Sequence, residues 1–219
     1  MSLNLKETLS YDDVTLVPAY SELRSRSEAC AEQHGYMLPI IGSCMDTLGR
    51  DLGNMLIDYN IPFIAHRAWH SAEEQFNYFV FKNKVKKNHS AFNNMWFAVG
   101  SVQKYKEWIH YLYSKGVRKF CVDMAHGDSI SCIETVEYIR QLLDSKQFID
   151  TKTVVNYKNE YINFEQTPHI IAGNVATAEG FKRLQKAGAN GIRVGIGSGS
   201  ICSTCLETRN GIADSYFNY

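Results

Sequence analysis

Short apolar runs, rich in β-branched and aromatic residues and closing on polar or glycine-rich tails, recur along this chain between segments of helical period. That alternation is the mark of βα units feeding a parallel sheet, whose strands are buried on both faces and so read as continuous apolar stretches. Six runs carry it: Leu38–Met45 (LPIIGSCM), Ile61–His66 (IPFIAH), Trp96–Gly100 (WFAVG), Lys119–Met124 (KFCVDM), His169–Val175 (HIIAGNV) and Gly191–Gly197 (GIRVGIG). Between them, Ser129–Leu143 sets Ile130, Ile133, Val136, Ile139 and Leu143 at helical spacing. Thr177–Ala187 has a threonine suited to cap its start and Gly188 to stop it.

The tails SCMDT, HR, GS, DMAHGDS, GNVAT and GIGSGSIC all follow predicted strands. In parallel α/β folds the ligand site lies beyond the carboxyl ends of the strands, so the clustering points to one site assembled from many loops. Such loops also need Gly, Ser, Asp and Asn for turns and helix caps, so no single tail carries that reading alone. A closed barrel and an open doubly wound sheet both fit the alternation. GIGSGSIC is a poor dinucleotide fingerprint, because it follows the last predicted strand and has G-x-G-x-G spacing.

Among 219 residues, 23 Lys and Arg balance 23 Asp and Glu, which leaves no net basic field to hold nucleic acid or an anionic membrane. The amino-terminal MSLNLKETLSYDDV lacks the apolar core of a signal peptide, and no run approaches the roughly 18 apolar residues that span a bilayer. A cytoplasmic protein with reduced thiols at Cys30, Cys44, Cys121, Cys132, Cys202 and Cys205 is expected. Cys202 and Cys205 form a C-x-x-C pair, but no second pair completes a zinc site. Phe148–Pro168, poor in helical period and rich in Asn, Lys, Tyr and Thr, reads as an insertion in which VVNY and YINF could pair as a hairpin. The basic run Lys82–Lys87 (KNKVKK) reads as the solvated end of a helix.

Five separated segments, LSYDDVTLVPAYSE, PIIGSCMDT, VDMAHGDS, IIAGNVATAEG and IRVGIGSGSICST, together resemble the IMP dehydrogenase and GMP reductase family, in family order and over roughly Leu9 to Gly211. The resemblance implies an α/β fold of the TIM (β/α)8 barrel type, incomplete, with about six of the eight βα units present. It implies a single catalytic domain over residues 1–219, carrying the 148–168 insertion and lacking the C-terminal part of the barrel. The family joins a purine nucleoside monophosphate, IMP or GMP, to a cysteine at C2 and exchanges hydride with NAD or NADPH.

Residue by residue, Cys202 matches the family nucleophile, and Thr204 falls where the family supports the adduct. Ser43, Met45, Gly199 and Ser200 match positions that line the nucleotide pocket or contact its phosphate. Asp123, Asn174 and Arg193 match the cofactor side, where the nicotinamide and its ribose are held. The resemblance also suggests a monovalent cation near the Gly195–Cys202 loop. Without the family, Ser43, Asp123 and Asn174 read as helix caps and Met45 as core. His66 and His126 are the histidines nearest the predicted mouth and are candidates for hydrogen-bonding support.

After Cys202 the family pattern breaks: LETRNGIADSYFNY stands where a T-G-V-G-x-P-Q stretch and two further βα units are expected. A six-strand arc exposes edges, so a homo-oligomer or a complementing chain is the expected partner. The wording AGNVATAEG and GSGSIC favours the dehydrogenase, IMP to XMP with NAD. The missing regulatory insertion between the second and third strands favours the alternative, GMP to IMP and ammonia with NADPH. A further alternative is a non-catalytic interaction subunit or a piece of a split enzyme.

Overall fold

The computed structural model describes residues 20–25, 40–82, 92–145 and 166–197. Its elements alternate. Helix α1 (Arg50–Asp58) precedes strand β1 (Phe63–Ala65), and α2 (Ala72–Asn77) runs on into a wider π turn at Tyr78–Lys82. Then come β2 (Met95–Val99), α3 (Val102–Ser114), β3 (Lys119–Asp123), α4 (Ile130–Asp144), β4 (His169–Val175), α5 (Ala178–Lys186) and β5 (Gly191–Val194).

Local chemistry sets the helix starts. Ser71, Ser129 and Thr177 stand in extended conformation, and their hydroxyls accept from the backbone N–H of Glu74, Cys132 and Gly180, satisfying amides that no helical turn can reach. Glu74 also turns back to accept from the His70 N–H at 3.1 Å, a capping-box variant. Gly188 ends α5 with a positive φ of 106°, as its place in the sequence suggests.

All four strand pairs are parallel, and the spatial order β1-β2-β3-β4-β5 repeats the chain order. A doubly wound sheet reverses direction at a switch point, whereas here each unit is laid beside the last, as in the wall of a barrel. Strand alternation sorts the side chains accordingly. Phe63, Phe97, Val99, Phe120, Val122, Ile170 and Ala172 face outward into a core shared with Leu56, Phe76, Ile109, Leu112, Val136, Ile139 and Leu184 of the helices. Ile64, Trp96, Ala98 and Cys121 form a separate inner cluster that includes no helix residue.

Three expected strands are shorter among the described residues, and Ile61–His66 is cut to β1, Phe63–Ala65. Of Leu38–Met45, residues 40–45 are described, and they make one parallel bridge, Gly42 to Phe63, before the chain turns with Met45 N–H bonded to Ser43 O. A side chain at Gly42 would collide with Phe63 Cβ at 2.8 Å, so the bridge depends on glycine. The run Gly191–Gly197 pairs with β4 only as far as Val194, because Gly195 adopts φ 105° and turns the chain out of the ladder. Of the basic run, residues 83–87 lie outside the described residues, as does most of the 148–168 insertion. Its described end is structural: buried Gln166 accepts from the N–H groups of Arg118 and Lys119 and donates to Phe92 O and Met95 O, tying the starts of β2 and β3 together.

Candidate active site

The carboxyl ends of the strands bring separated residues together. Arg193, in β5, reaches over the inner face of the sheet, donating from Nη1 to Asp123 Oδ1 at 2.7 Å and to Cys44 Sγ at 3.1 Å, and from Nη2 to Ser43 Oγ at 3.4 Å. Asp123 ends β3, and Ser43 and Cys44 follow the Gly42 bridge, so one guanidinium joins groups 70 and 150 residues away in the chain. Room for that side chain comes from Gly173, its register partner in β4. A Cβ at Gly173 would lie 2.7 Å from Arg193 O and 2.8 Å from Arg193 Cβ.

A second arginine approaches the same carboxylate. Arg67, just beyond β1, donates from Nη2 to the Asp123 backbone carbonyl and from Nη1 to the Tyr105 hydroxyl. Its Nε stands 3.4 Å from Asp123 Oδ2. That Nε is buried without a hydrogen-bond partner, leaving one donor uncommitted beside the carboxylate. Burial works against the charge of both arginines. Cys121, Cys44 and Asp123 outweigh it for Arg193, and the Tyr105 hydroxyl with Asp123 outweighs it for Arg67, so both pKa values are raised and both stay cationic.

Asn174 stands one residue past the Gly173 position and donates from Nδ2 to Gly195 O at 2.7 Å, bracing the start of the loop after β5. Its backbone carbonyl accepts from Gly127 N–H and its N–H donates to Met124 O, so the β3 and β4 ends are stitched together. Of the two mouth histidines, His126 is exposed and His66 is buried. His66 Nδ1 accepts from Ala68 N–H, and burial holds its pKa below the ordinary value. Met45 is 48% exposed, so it is not core and is free to line a ligand.

The thiols differ. Cys121 is buried on the inner face and Cys44 packs against it, partly exposed at the mouth. The Cys121 thiol donates to the Cys44 sulfur, which lowers the Cys44 pKa, with the Arg193 charge adding to the effect, and pushes that of Cys121 well up. Cys132, on the buried face of α4, is raised to about 11 by burial.

Of the site residues expected from sequence, Ser43 and Asp123 both meet Arg193 directly, Asn174 lies near the end of β4, and Met45 lies in the turn after the Gly42 bridge. Gly199, Ser200, Cys202 and Thr204 lie outside the described residues. Sequence reasoning missed Cys44 and Arg67, although both sit in the tails SCMDT and HR that follow predicted strands. Among the described residues no group of three or more His, Cys, Asp or Glu side chains could hold a metal ion, and no helix is long and apolar enough to cross a membrane.

A family model described as IMP dehydrogenase / GMP reductase domain matches residues 8–215. A GMP reductase from Clostridium acetobutylicum is 28% identical over 215 residues, covering 93% of this chain and 55% of that protein. A GMP reductase from Streptococcus gordonii is 27% identical over 211 residues, covering 94% of this chain and 55% of that one. The crystal structure of inosine 5′-monophosphate dehydrogenase from Legionella pneumophila superposes with a TM-score of 0.68 at 29% identity, covering 94% of this chain and 56% of that chain. The chain thus spans about half the length of the curated relatives it matches.

Proposed function

The chain belongs to the IMP dehydrogenase / GMP reductase family, and from that premise we propose that it binds a purine nucleoside monophosphate at the strand ends and carries it through hydride exchange at C2. The fold is then an arc of the family's TIM-type barrel. The observation that carries the reading is the joining of Ser43, Asp123 and Arg193 by one guanidinium, since the family pattern puts nucleotide contacts on the first and cofactor contacts on the other two.

The residues fit a nicotinamide nucleotide chemically. Asp123 keeps acceptor capacity beyond its arginine contacts, so a ribose hydroxyl or a carboxamide N–H finds an acceptor there. When bound, that cofactor supplies or accepts the hydride. Cys202, as thiolate, forms the bond to C2 and holds the purine while its 2-substituent departs, with Thr204 beside the adduct. Ser43, Met45, Gly199 and Ser200 line the nucleotide and its phosphate. Asp123 and Arg193 orient the ring that faces C2, and Asn174 fixes the loop that carries the nucleophile. A monovalent cation on carbonyls of the Gly195–Cys202 loop would order the same segment. The edges of the described sheet would be covered by a second copy or by a complementing chain.

For the direction of reaction, two observations favour GMP to IMP and ammonia with NADPH. The two curated relatives cited above carry the name GMP reductase, although the solved structure cited with them is an inosine 5′-monophosphate dehydrogenase. Only residues 83–94 separate the π turn from β2, too few for a regulatory domain pair. The wording AGNVATAEG and GSGSIC supports the second reading, IMP to XMP with NAD. Replacing Cys202→Ala tests the common chemistry: turnover in either direction should fall by at least about a thousandfold, and unchanged turnover overturns the nucleophile assignment.

A further inference from the structure

Cys44 has surroundings that the purine chemistry does not require. Cys44 is partly exposed at the mouth, its sulfur takes an N–H from Arg193 at 3.1 Å, and it packs against the inner cluster that holds the buried Cys121. The two cysteines are far apart in sheet order, with β1 and β2 between them. They reach each other across the inner face because Ala98, the register partner of Cys121 in β2, offers only a methyl group there. A thiolate beside a guanidinium and open to solvent is the environment that makes cysteine reactive, whereas a buried thiol without such a neighbour is inert. Cys132 is the internal contrast, buried in the first turn of α4 with no arginine donating to its sulfur among the described residues.

From this geometry we propose that Cys44 and Cys121 form a peroxide-responsive pair, Cys44 as the oxidised thiolate and Cys121 as the thiol that resolves it into a disulfide. The co-reactant is a hydroperoxide. The Cys44 thiolate attacks one peroxide oxygen, the O–O bond breaks, and the sulfur loses two electrons to become sulfenic acid while hydroxide leaves. Cys121 sulfur then attacks Cys44 sulfur, the S–O bond breaks, and the leaving hydroxide departs as water with the Cys121 proton. A thiol reductant reverses the process by exchange. Because Cys44 stands between Ser43 and Met45, the oxidised pair would link the redox state of the medium to the proposed nucleotide pocket. The sulfur chemistry itself does not rest on that reading.

The test uses the full chain carrying Cys202→Ser, so that the proposed nucleophile contributes nothing. Equimolar hydrogen peroxide, blocking with iodoacetamide and non-reducing peptide mass mapping should yield a Cys44–Cys121 cross-linked peptide that dithiothreitol removes. With Cys121→Ala, dimedone should instead label Cys44. In the reduced chain Arg193→Met should slow Cys44 alkylation by roughly tenfold, because the guanidinium that favours the thiolate is gone, and Arg193→Lys should restore most of it. Cys44 remaining fully alkylatable after peroxide, linking to a different cysteine, or alkylating as slowly as Cys132 overturns the proposal. Because those readouts lie on Cys44, they are independent of whether the chain turns over any nucleotide.

Discussion

Two residues at the strand ends show how burial and space govern the site. His66 is 6% exposed, with Nδ1 accepting the Ala68 N–H, so its neutral ring is the folded form and its pKa lies below the ordinary value of about 6.5. The sign follows from that depression. As pH falls through the unfolded-state value, the unfolded chain takes up a proton that the folded chain refuses, and stability is lost until the folded pKa is reached. The difference in urea midpoint between pH 7.5 and pH 5.5, taken here as about one unit either side of that value, should therefore be larger in the wild type than in His66→Gln; equal differences would contradict a buried neutral histidine. Gly173 is the second case. Its φ of 152° and the 2.7 Å approach to Arg193 O leave no place for a methyl group. Gly173→Ala should cost about 1–3 kcal/mol of stability, read from denaturant unfolding, and displace Arg193 from Asp123. A variant as stable as the wild type would show that the strands can part at no cost.

At the scale of elements, α2 is fastened to the sheet by one buried amide. Gln75 Nε2 shares its donors among Ala65 O, His66 O and Ala98 O, and its Oε1 accepts from Trp108 Nε1 at 2.7 Å. Gln75→Leu keeps the volume but strands those carbonyls and the indole N–H, so a loss of about 1–3 kcal/mol is expected in thermal or denaturant unfolding. No measurable loss would mean that water replaces the amide. Gln75 also marks the limit of what pattern can tell. Apolar runs located β1 to β5 because strand burial is written in composition, and Ser129 and Thr177 located two helix starts because capping is local. A glutamine in AEEQFN gives no sign that it is buried beside Ala72 and Phe76. Nor could periodicity show that LPIIGSCM keeps only one bridge at Gly42 among its described residues, since that depends on the close approach of Phe63. The site was legible in part for the same reason. Asp123, Asn174 and Arg193 stand at strand ends, which sequence can mark, while the Arg193–Cys44 and Arg67–Asp123 contacts depend on packing across the sheet.

Across the whole molecule, parallel strands in chain order with helices against one face leave the other face to Ile64, Trp96, Ala98 and Cys121, and a rim of polar groups at the carboxyl ends of the strands. This asymmetry separates stability from chemistry. The outer core carries the apolar burial, and the mouth collects the arginines, the carboxylate and the thiols. The proposed function places purine nucleoside monophosphate chemistry with a nicotinamide cofactor at this mouth. The most direct measurement follows the absorbance of reduced nicotinamide with the purified chain, given GMP and NADPH in one cell and IMP and NAD in another. A fall in the first cell, absent in Cys202→Ala, is predicted; a rise in the second would keep the chemistry and reverse its direction. Flat traces in both cells, from a folded chain at concentrations that saturate its relatives, would contradict the enzymatic reading and favour an interaction subunit.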